Sequence, residues 1–215
     1  MSDKPTPVSE PLIPKHGGYR KLRSFQVAQL VYDVTVRFCS RYIDKRSRTH
    51  DQMVQAARSG VQNIAEGSLA SGTSKKTELK LTNIARASLE ELRLDYEDFL
   101  RQRGLAQWPP DNPALRRFKA KRGATMEEFV GWVSDELTRT GTDEHRPART
   151  GEKSVWVRGR RWRSAELVAN GALSLLNVCC YLLDRQLAAQ ASAFERDGGF
   201  SERLYRVRSG KRSGR

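Results

Sequence analysis

Between Leu167 and Leu183 the chain reads LVANGALSLLNVCCYLL, 17 residues without a charge. A helix that is apolar around its circumference is stable in two places, the interior of a packed helical assembly or lipid. Seventeen residues is the lower edge for a span, Asn170, Ser174 and Asn177 interrupt the run, and charges close in on both sides. The segment therefore reads as a helix buried on most of its surface, at a bundle core or a subunit interface, and not as a membrane span. Such a helix needs partners that present apolar stripes.

Three further segments supply them. From about Tyr19 to Arg46, Phe25, Ala28, Tyr32, Thr35, Cys39 and Tyr42 recur at helical spacing, with Val31 and Phe38 widening the stripe. Thr49 followed by Gln52 matches a capping box and starts a second helix, whose apolar positions are Met53, Ala57, Val61 and Ile64. Gly67 and Gly72 mark its end. Thr73 or Ser74 caps a third helix, in which Thr82, Ala85, Leu89, Leu92, Tyr96 and Phe99 alternate three and four apart. Gly104 and Pro109-Pro110 close it.

The organisation expected is all-α, an antiparallel up-down four-helix bundle with an irregular basic insertion between the third and last long helices. Residues 1–16 read as a flexible leader, and 17–104 as the first three helices. Residues 105–163 read as the insertion, with a short basic helix at Ala114–Arg122 and another at Met126–Thr140, where Phe129, Val130, Val133 and Leu137 share a face. Residues 141–163 read as a mobile connection. The last bundle helix occupies 164–200, stopped by Gly198-Gly199, and 201–215 form a basic tail.

No enzyme constellation emerges. His16, His50 and His145 have no cysteine or carboxylate at metal-ligand spacing, and Cys39, Cys179 and Cys180 form no metal pattern. Neither a catalytic residue nor a cofactor or metal site is assigned. Free thiols in apolar settings fit a reducing cytoplasm. Ser71–Lys76, SGTSKK, lacks the spacing of a phosphate loop and reads first as an ordinary helix cap.

The stretch SGVQNIAEG, residues 59–67, carries Ser59, Asn63 and Glu66 at successive turns. With Gly67 as a helix break, Glu66 would oppose the C-terminal dipole and need a partner such as Arg58, Arg86 or Asn83. A catalytic or RNA-contacting glutamate is one reading. A polar network that fixes helix register is the favoured one, because nothing else catalytic converges there.

QMVQAARSGVQNIAEGS (52–68) and KTELKLTNIARASLEELRLDYEDFL (76–100) resemble the bacterial four helix bundle family. That family includes proteins encoded by intervening sequences of 23S ribosomal RNA and the accessory variability determinant of diversity-generating retroelements. The motif falls on Asn63–Gly67 and Ala85–Leu92, so Asn63, Glu66, Gly67, Ser88 and Glu91 are taken as structural markers. Residues 180–208 and the GGYRKL start (17–22) are similar to the branch carrying a C-terminal suffix. The resemblance implies a bundle that assembles into a barrel-like homopentamer. In the retroelement members it implies a non-enzymatic partner of a reverse transcriptase and nucleic acid.

Net charge is +14 with a pI near 10.1, which favours polyanionic partners. The charge is clustered. Arg116, Arg117, Lys119, Lys121 and Arg122 run without an acid. Arg158, Arg160, Arg161 and Arg163 interleave with Trp156 and Trp162, a pairing suited to phosphate contact and base stacking. For the tryptophans, a hydrophobic tuck onto the bundle is the competing reading. No groove-reading motif is present, so binding to RNA or DNA would be backbone-driven. The expectation is a non-enzymatic, oligomeric nucleic-acid-binding scaffold. The alternative is an interaction module whose basic surface docks an acidic protein.

Overall fold

The computed structural model describes residues 11–120, 125–142 and 153–213, with backbone alone at 140–142, 153–162 and 213. All regular structure among the described residues is helical. After a 3-10 turn at Tyr19–Lys21 come α1 (Arg23–Tyr42), α2 (Arg48–Ala70), α3 (Lys75–Gln102), α4 (Pro113–Ala120), α5 (Met126–Thr142), α6 (Lys153–Asp197) and α7 (Phe200–Ser213).

The stripes expected of α1, α2 and α3 face inward. Met53, Ala57, Ile64, Ala85, Leu89, Leu92 and Tyr96 are essentially solvent-free. Of the stripe on α1, Tyr32 alone is half-buried. α2 packs on α1 and α3, and α6 packs on α1 and α3. Ser24 Oγ, early in α1, donates to Gln186 Oε1 late in α6 at 2.8 Å. Tyr42, at the end of α1, bonds Ser164 early in α6 at 2.8 Å. These two helices therefore run in opposite directions. Deep between α1 and α3, Tyr96 donates to Thr35 Oγ1, which itself donates to the Val31 carbonyl.

Several boundaries differ from the sequence reading. α1 stops at Tyr42 rather than near Arg46, because Asp44 turns the chain: its Oδ1 accepts from Arg46 N and its carbonyl from Ser47 N. Ser47, not Thr49, caps α2, accepting from Thr49 N at 3.2 Å. α2 runs through Gly67 to Ala70. Ser74 caps α3 by accepting from Thr77 N. Gly104, at φ 62°, ends α3, and Gly198, at φ 71°, ends α6.

Two segments read as irregular are helical. Residues 153–163 form the first turns of α6, which starts at Lys153 rather than Ser164. Extending an established helix adds one hydrogen bond per residue fixed, and arginine and tryptophan are adequate helix formers, so the nucleus at 164 onward carries the basic stretch with it. The tail at 201–215 is likewise helical as far as Ser213. Residues 1–10, 143–152 and 214–215 of the leader, connection and tail lie outside the described residues.

The leader is tied down where it is described. Gly17 N donates to the Ser68 carbonyl at 3.0 Å, and the His16 ring lies over Gly72, where a Cβ would meet it at 2.8 Å.

The segment 105–142 covers α6. On α5 the inward face is Phe129, Trp132 and Glu136, while Val130, expected inside, is 47% exposed. Trp132 and Phe129 rest on Gly171 of α6, where a Cβ would meet them at 2.6 and 2.9 Å. Trp132 Nε1 donates to the Ala114 carbonyl, and Phe118 stacks against both rings. Asn170 ties the preceding linker. Its Oδ1 accepts from Trp108 N at 2.7 Å and its Nδ2 donates to the Ala106 carbonyl at 2.9 Å. Trp108 Nε1 donates to Glu166.

The stretch Arg163–Arg212 contains an 18-residue window of mean hydropathy 1.5, of which 67% is buried inside the protein.

Replacing Asn170 by Leu removes both linker bonds while keeping the bulk. The expected cost is about 1–3 kcal/mol, read as a lower midpoint in chemical denaturation. A midpoint equal to wild type would show that the linker is held by Trp108 alone.

Candidate nucleic-acid interface

The Ser59–Gly67 stretch sits against α3. Ser59 Oγ and Ser88 Oγ are 3.0 Å apart, and Asn63 Nδ2 donates to the carbonyl and Oγ of Ser59 at 2.9 and 3.1 Å. Two glycines set the approach of the helices. A Cβ on Gly60 would meet Leu89 at 2.6 Å, and one on Gly67 would meet the Glu78 carbonyl and the Leu81 Cβ, each at 3.3 Å. Gly67 is therefore a mid-helix contact rather than a C-cap, and the helix end expected there is corrected to Ala70. Glu66 falls outside the network. It is exposed, three residues inside α2, and none of the expected partners reaches it. Arg86 instead bonds Asp184 and Glu90, and Asn63 bonds Ser59.

Along α3, Arg86 Nη1 donates to Glu90, and Arg93 donates to Glu90 and Glu97. These i,i+3 and i,i+4 pairs are partly exposed. The Arg93 guanidinium, followed by Arg86, holds the Glu90 carboxyl below the usual carboxylate range. Asp95 lacks such a cation. Burial first, then Glu91 and Asp98, pushes its carboxyl up. Glu91 itself is exposed on the outer face of the helix.

The basic residues named from the sequence are distributed over α4 and the start of α6. On α4, Arg116 is exposed. Arg117 forms a two-pronged pair with Glu136 of α5, Nε and Nη2 donating to Oε1 and Oε2 at 2.6 Å each. Lys119 Nζ donates to the Pro110 carbonyl at 2.8 Å. Two of the three α4 cations thus fasten α4 to its surroundings. Lys121 and Arg122 lie outside the described residues. Positions 156, 158, 160, 161 and 162 lie on the helical backbone of α6, and the side chains of Trp156, Arg158, Arg160, Arg161 and Trp162 lie outside the described residues. Arg163 is half-buried and engaged. Helical spacing groups positions 156, 160 and 163 on one side and 158, 161 and 162 on the other.

The basic tail expected at 201–215, whose Arg203, Arg206, Arg208, Lys211, Arg212 and Arg215 add to the basic segments, falls on α7 as far as Ser213. Its Arg206, Arg208, Lys211 and Arg212 are exposed or half-buried at the surface. The signal was present as cations spaced three and four apart in the stretch ERLYRVRSGKR. Around the Ser71–Lys76 turn a cleft is lined by Lys15, Ser71–Lys75, Asp197–Phe200 and Arg203. Lys75 pairs with Glu78 at 2.9 Å. The three thiols are buried, and burial pushes the Cys39 thiol up to about 12. Among the described residues no group of three or more His, Cys, Asp or Glu is arranged to hold a metal ion.

A paired substitution separates packing from chemistry in the Ser59–Gly67 stretch. Gly67→Val is expected to cost about 1–3 kcal/mol by forcing α2 from α3. Glu66→Gln, at an exposed site, is expected to stay within about 0.5 kcal/mol of wild type. Thermal denaturation of both variants checks this, and the reverse ranking would assign the stability to the glutamate.

Set against known proteins, the chain matches no family model, no curated protein and no solved structure.

Proposed function

We propose that the chain is a non-enzymatic, cytoplasmic scaffold that assembles into a homo-oligomer and binds nucleic acid through its phosphate backbone. In this reading α1, α2, α3 and α6 form an antiparallel four-helix bundle of the bacterial four helix bundle family. The motif stretches 52–68 and 76–100 support that assignment, as does the packing among the four long helices. The resemblance extends the proposal to a homopentamer and to an accessory role beside a reverse transcriptase.

The observation that carries the reading is charge segregation. Residues 153–163 hold five cations and no acid, and α7 holds five cations against Glu202 alone. Both stretches are helical, so the cations recur along rods rather than along a fluctuating coil. A rod of arginines meets phosphates at low ordering cost, and it reads no sequence. Docking of an acidic protein is the second reading. Tyr205, 74% exposed among the cations of α7, favours a protein contact there.

The test is binding of nuclease-treated protein to a labelled structured RNA and a labelled DNA duplex across a salt series. Affinity is expected to fall steeply with salt. Replacing Arg158, Arg160, Arg161 and Arg163 by Gln should weaken all sequences alike. It should also flatten the slope on duplex DNA by up to about 3.6, at roughly 0.9 for each phosphate no longer neutralised. An unchanged slope removes the 158–163 segment from the interface. No binding at low salt overturns the nucleic-acid reading in favour of an acidic protein partner.

A further inference from the structure

The outer side of α3 and α6 forms a groove lined by Asn83, Arg86, Ala87, Glu91, Leu94 and Asp184. Leu94 is 54% exposed, and Val178 and Tyr181, on the same outward face of α6 as Asp184, are 44% and 59% exposed. Apolar groups of this size so placed mark a contact surface when polar residues rim them. The acids that line it are Glu90, Glu91 and Asp184, with Asp98 one turn beyond Leu94 on α3, and Arg185 lies over the Tyr181 ring at 5.9 Å. Arg86 and Arg93 are already engaged with Glu90, Glu97 and Asp184. Arg101 pairs with Asp98 at 2.7 Å with both groups well exposed, so the face is acid-rich in a chain of net charge +14, with Glu91 its acid outside any ion pair among the described residues.

Two copies meeting groove to groove would set these carboxylates against each other, which disfavours a two-fold contact through this face. The complement must be basic and carry an apolar element. α4 does not qualify, because Arg117 and Lys119 are committed within their own chain. α7 does. Tyr205 is 74% exposed, the largest exposure among its apolar residues, and Arg208 and Arg212 follow it at i+3 and i+7 on the same face. Arg208, Lys211 and Arg212 form no ion pair among the described residues. On α3, Ala87, Glu91, Leu94 and Asp98 alternate small or apolar with acidic at the matching helical intervals. Within one chain α7 does not fill the groove. Its first turn sits elsewhere, Phe200 and Arg203 lining the cleft beside the Ser71–Lys75 turn, while Arg206 donates to the Asp197 carbonyl and Glu202 accepts from Gly199 N.

We propose that the groove between α3 and α6 receives helix α7 of a second copy of this chain, with Tyr205 against Leu94 and Tyr181, and with Arg208 and Arg212 against Glu91 and Asp98, the latter exchanging its exposed Arg101 partner. The contact joins two different surfaces, so it is head-to-tail and closes into a ring or continues as a filament. The inference rests on the assembly half of the proposed function and not on its nucleic-acid half.

The test is sedimentation velocity of the nuclease-treated full chain across a dilution series, at low and high salt. Wild type is expected to associate with concentration, and less so at high salt. Glu91→Lys with Asp98→Lys, and separately Arg208→Glu with Arg212→Glu, should each weaken association at least about tenfold. All four substitutions together should restore it to within about threefold. All sites lie at the surface, and circular dichroism confirms that each variant keeps the wild-type fold. A wild type that stays monomeric throughout overturns the proposal, as does reversal without effect or a folded fourfold variant that remains dissociated. Coupling between the two sites in a concentration-independent monomer also overturns it, placing α7 in its own groove. Association lost in the Glu91→Lys, Asp98→Lys variant with RNA binding retained separates this interface from the polyanion site. RNA binding absent from an associating wild type would refute only the nucleic-acid reading.

Discussion

The structure depends on burying the middle of α6. From Ala165 to Leu183 most side chains are out of solvent, with Ala165, Ala169, Ala172, Leu176, Cys179 and Leu183 at zero exposure and Asn177, Val178 and Tyr181 on the one open side. Two neighbouring helices cannot cover a cylinder on all sides. α1 and α3 flank α6, and α4 and α5 come over the remaining side. The segment 105–142 thus has a physical purpose: Trp132, Phe129 and Phe118 complete the core above Gly171. Without that cover the face would present an apolar patch of the size that drives aggregation.

A helix apolar on all sides has little to define its rotation or its slide along its neighbours. The polar atoms in the core supply that definition. Ser24 with Gln186 and Tyr42 with Ser164 fix α6 against α1 at two points far apart along both helices. Tyr96 with Thr35 does the same between α3 and α1, and Ser59 with Ser88 between α2 and α3. Each bond satisfies groups that would otherwise be costly to bury, so a slipped register loses several at once. Asn170 belongs to this set, reaching out to the linker instead of across to another long helix.

The long helices were legible because a 3.6-residue period survives in the sequence wherever one face is buried and the other is wet. Every member of the Thr82–Phe99 series is buried for that reason. Periodicity does not report why a glycine is present. Gly67 reads as a stop signal in one dimension and is a helix contact in three, because the need for it comes from the Glu78 carbonyl and Leu81 on another helix. Periodicity also fails where a helix has no buried face. Residues 153–163 and 200–213 carry no regular apolar stripe in the sequence and are helical, the former continuous with the established helix from 164 onward. On α5 the apolar spacing of Phe129, Val130, Val133 and Leu137 pointed to one face, while the buried face turns instead through Phe129, Trp132 and Glu136. Glu136 is tolerated inside because Arg117 reaches it with both prongs, a partner nineteen residues away that spacing does not reveal.

Charge follows a different logic from packing. The core admits few ions, so the surplus of cations has to lie on surfaces, and folding decides only which surfaces. α3 could have shared that surplus. It carries Glu91, Asp95 and Asp98 instead, and burial first, then the neighbouring Glu91 and Asp98, pushes the Asp95 carboxyl up. Crowding like charges costs stability in the isolated chain. Of the chain's own cations on α3, Arg101 pairs with Asp98, while Arg86 and Arg93 are engaged by Glu90, Glu97 and Asp184, so Glu91 would gain from a cation that arrives from outside. A basic protein with one acidic face and one exposed basic helix holds two complementary surfaces that a single copy does not bring together. If two copies pair through these surfaces, electrostatics of this kind selects against face-to-face contact and for head-to-tail contact.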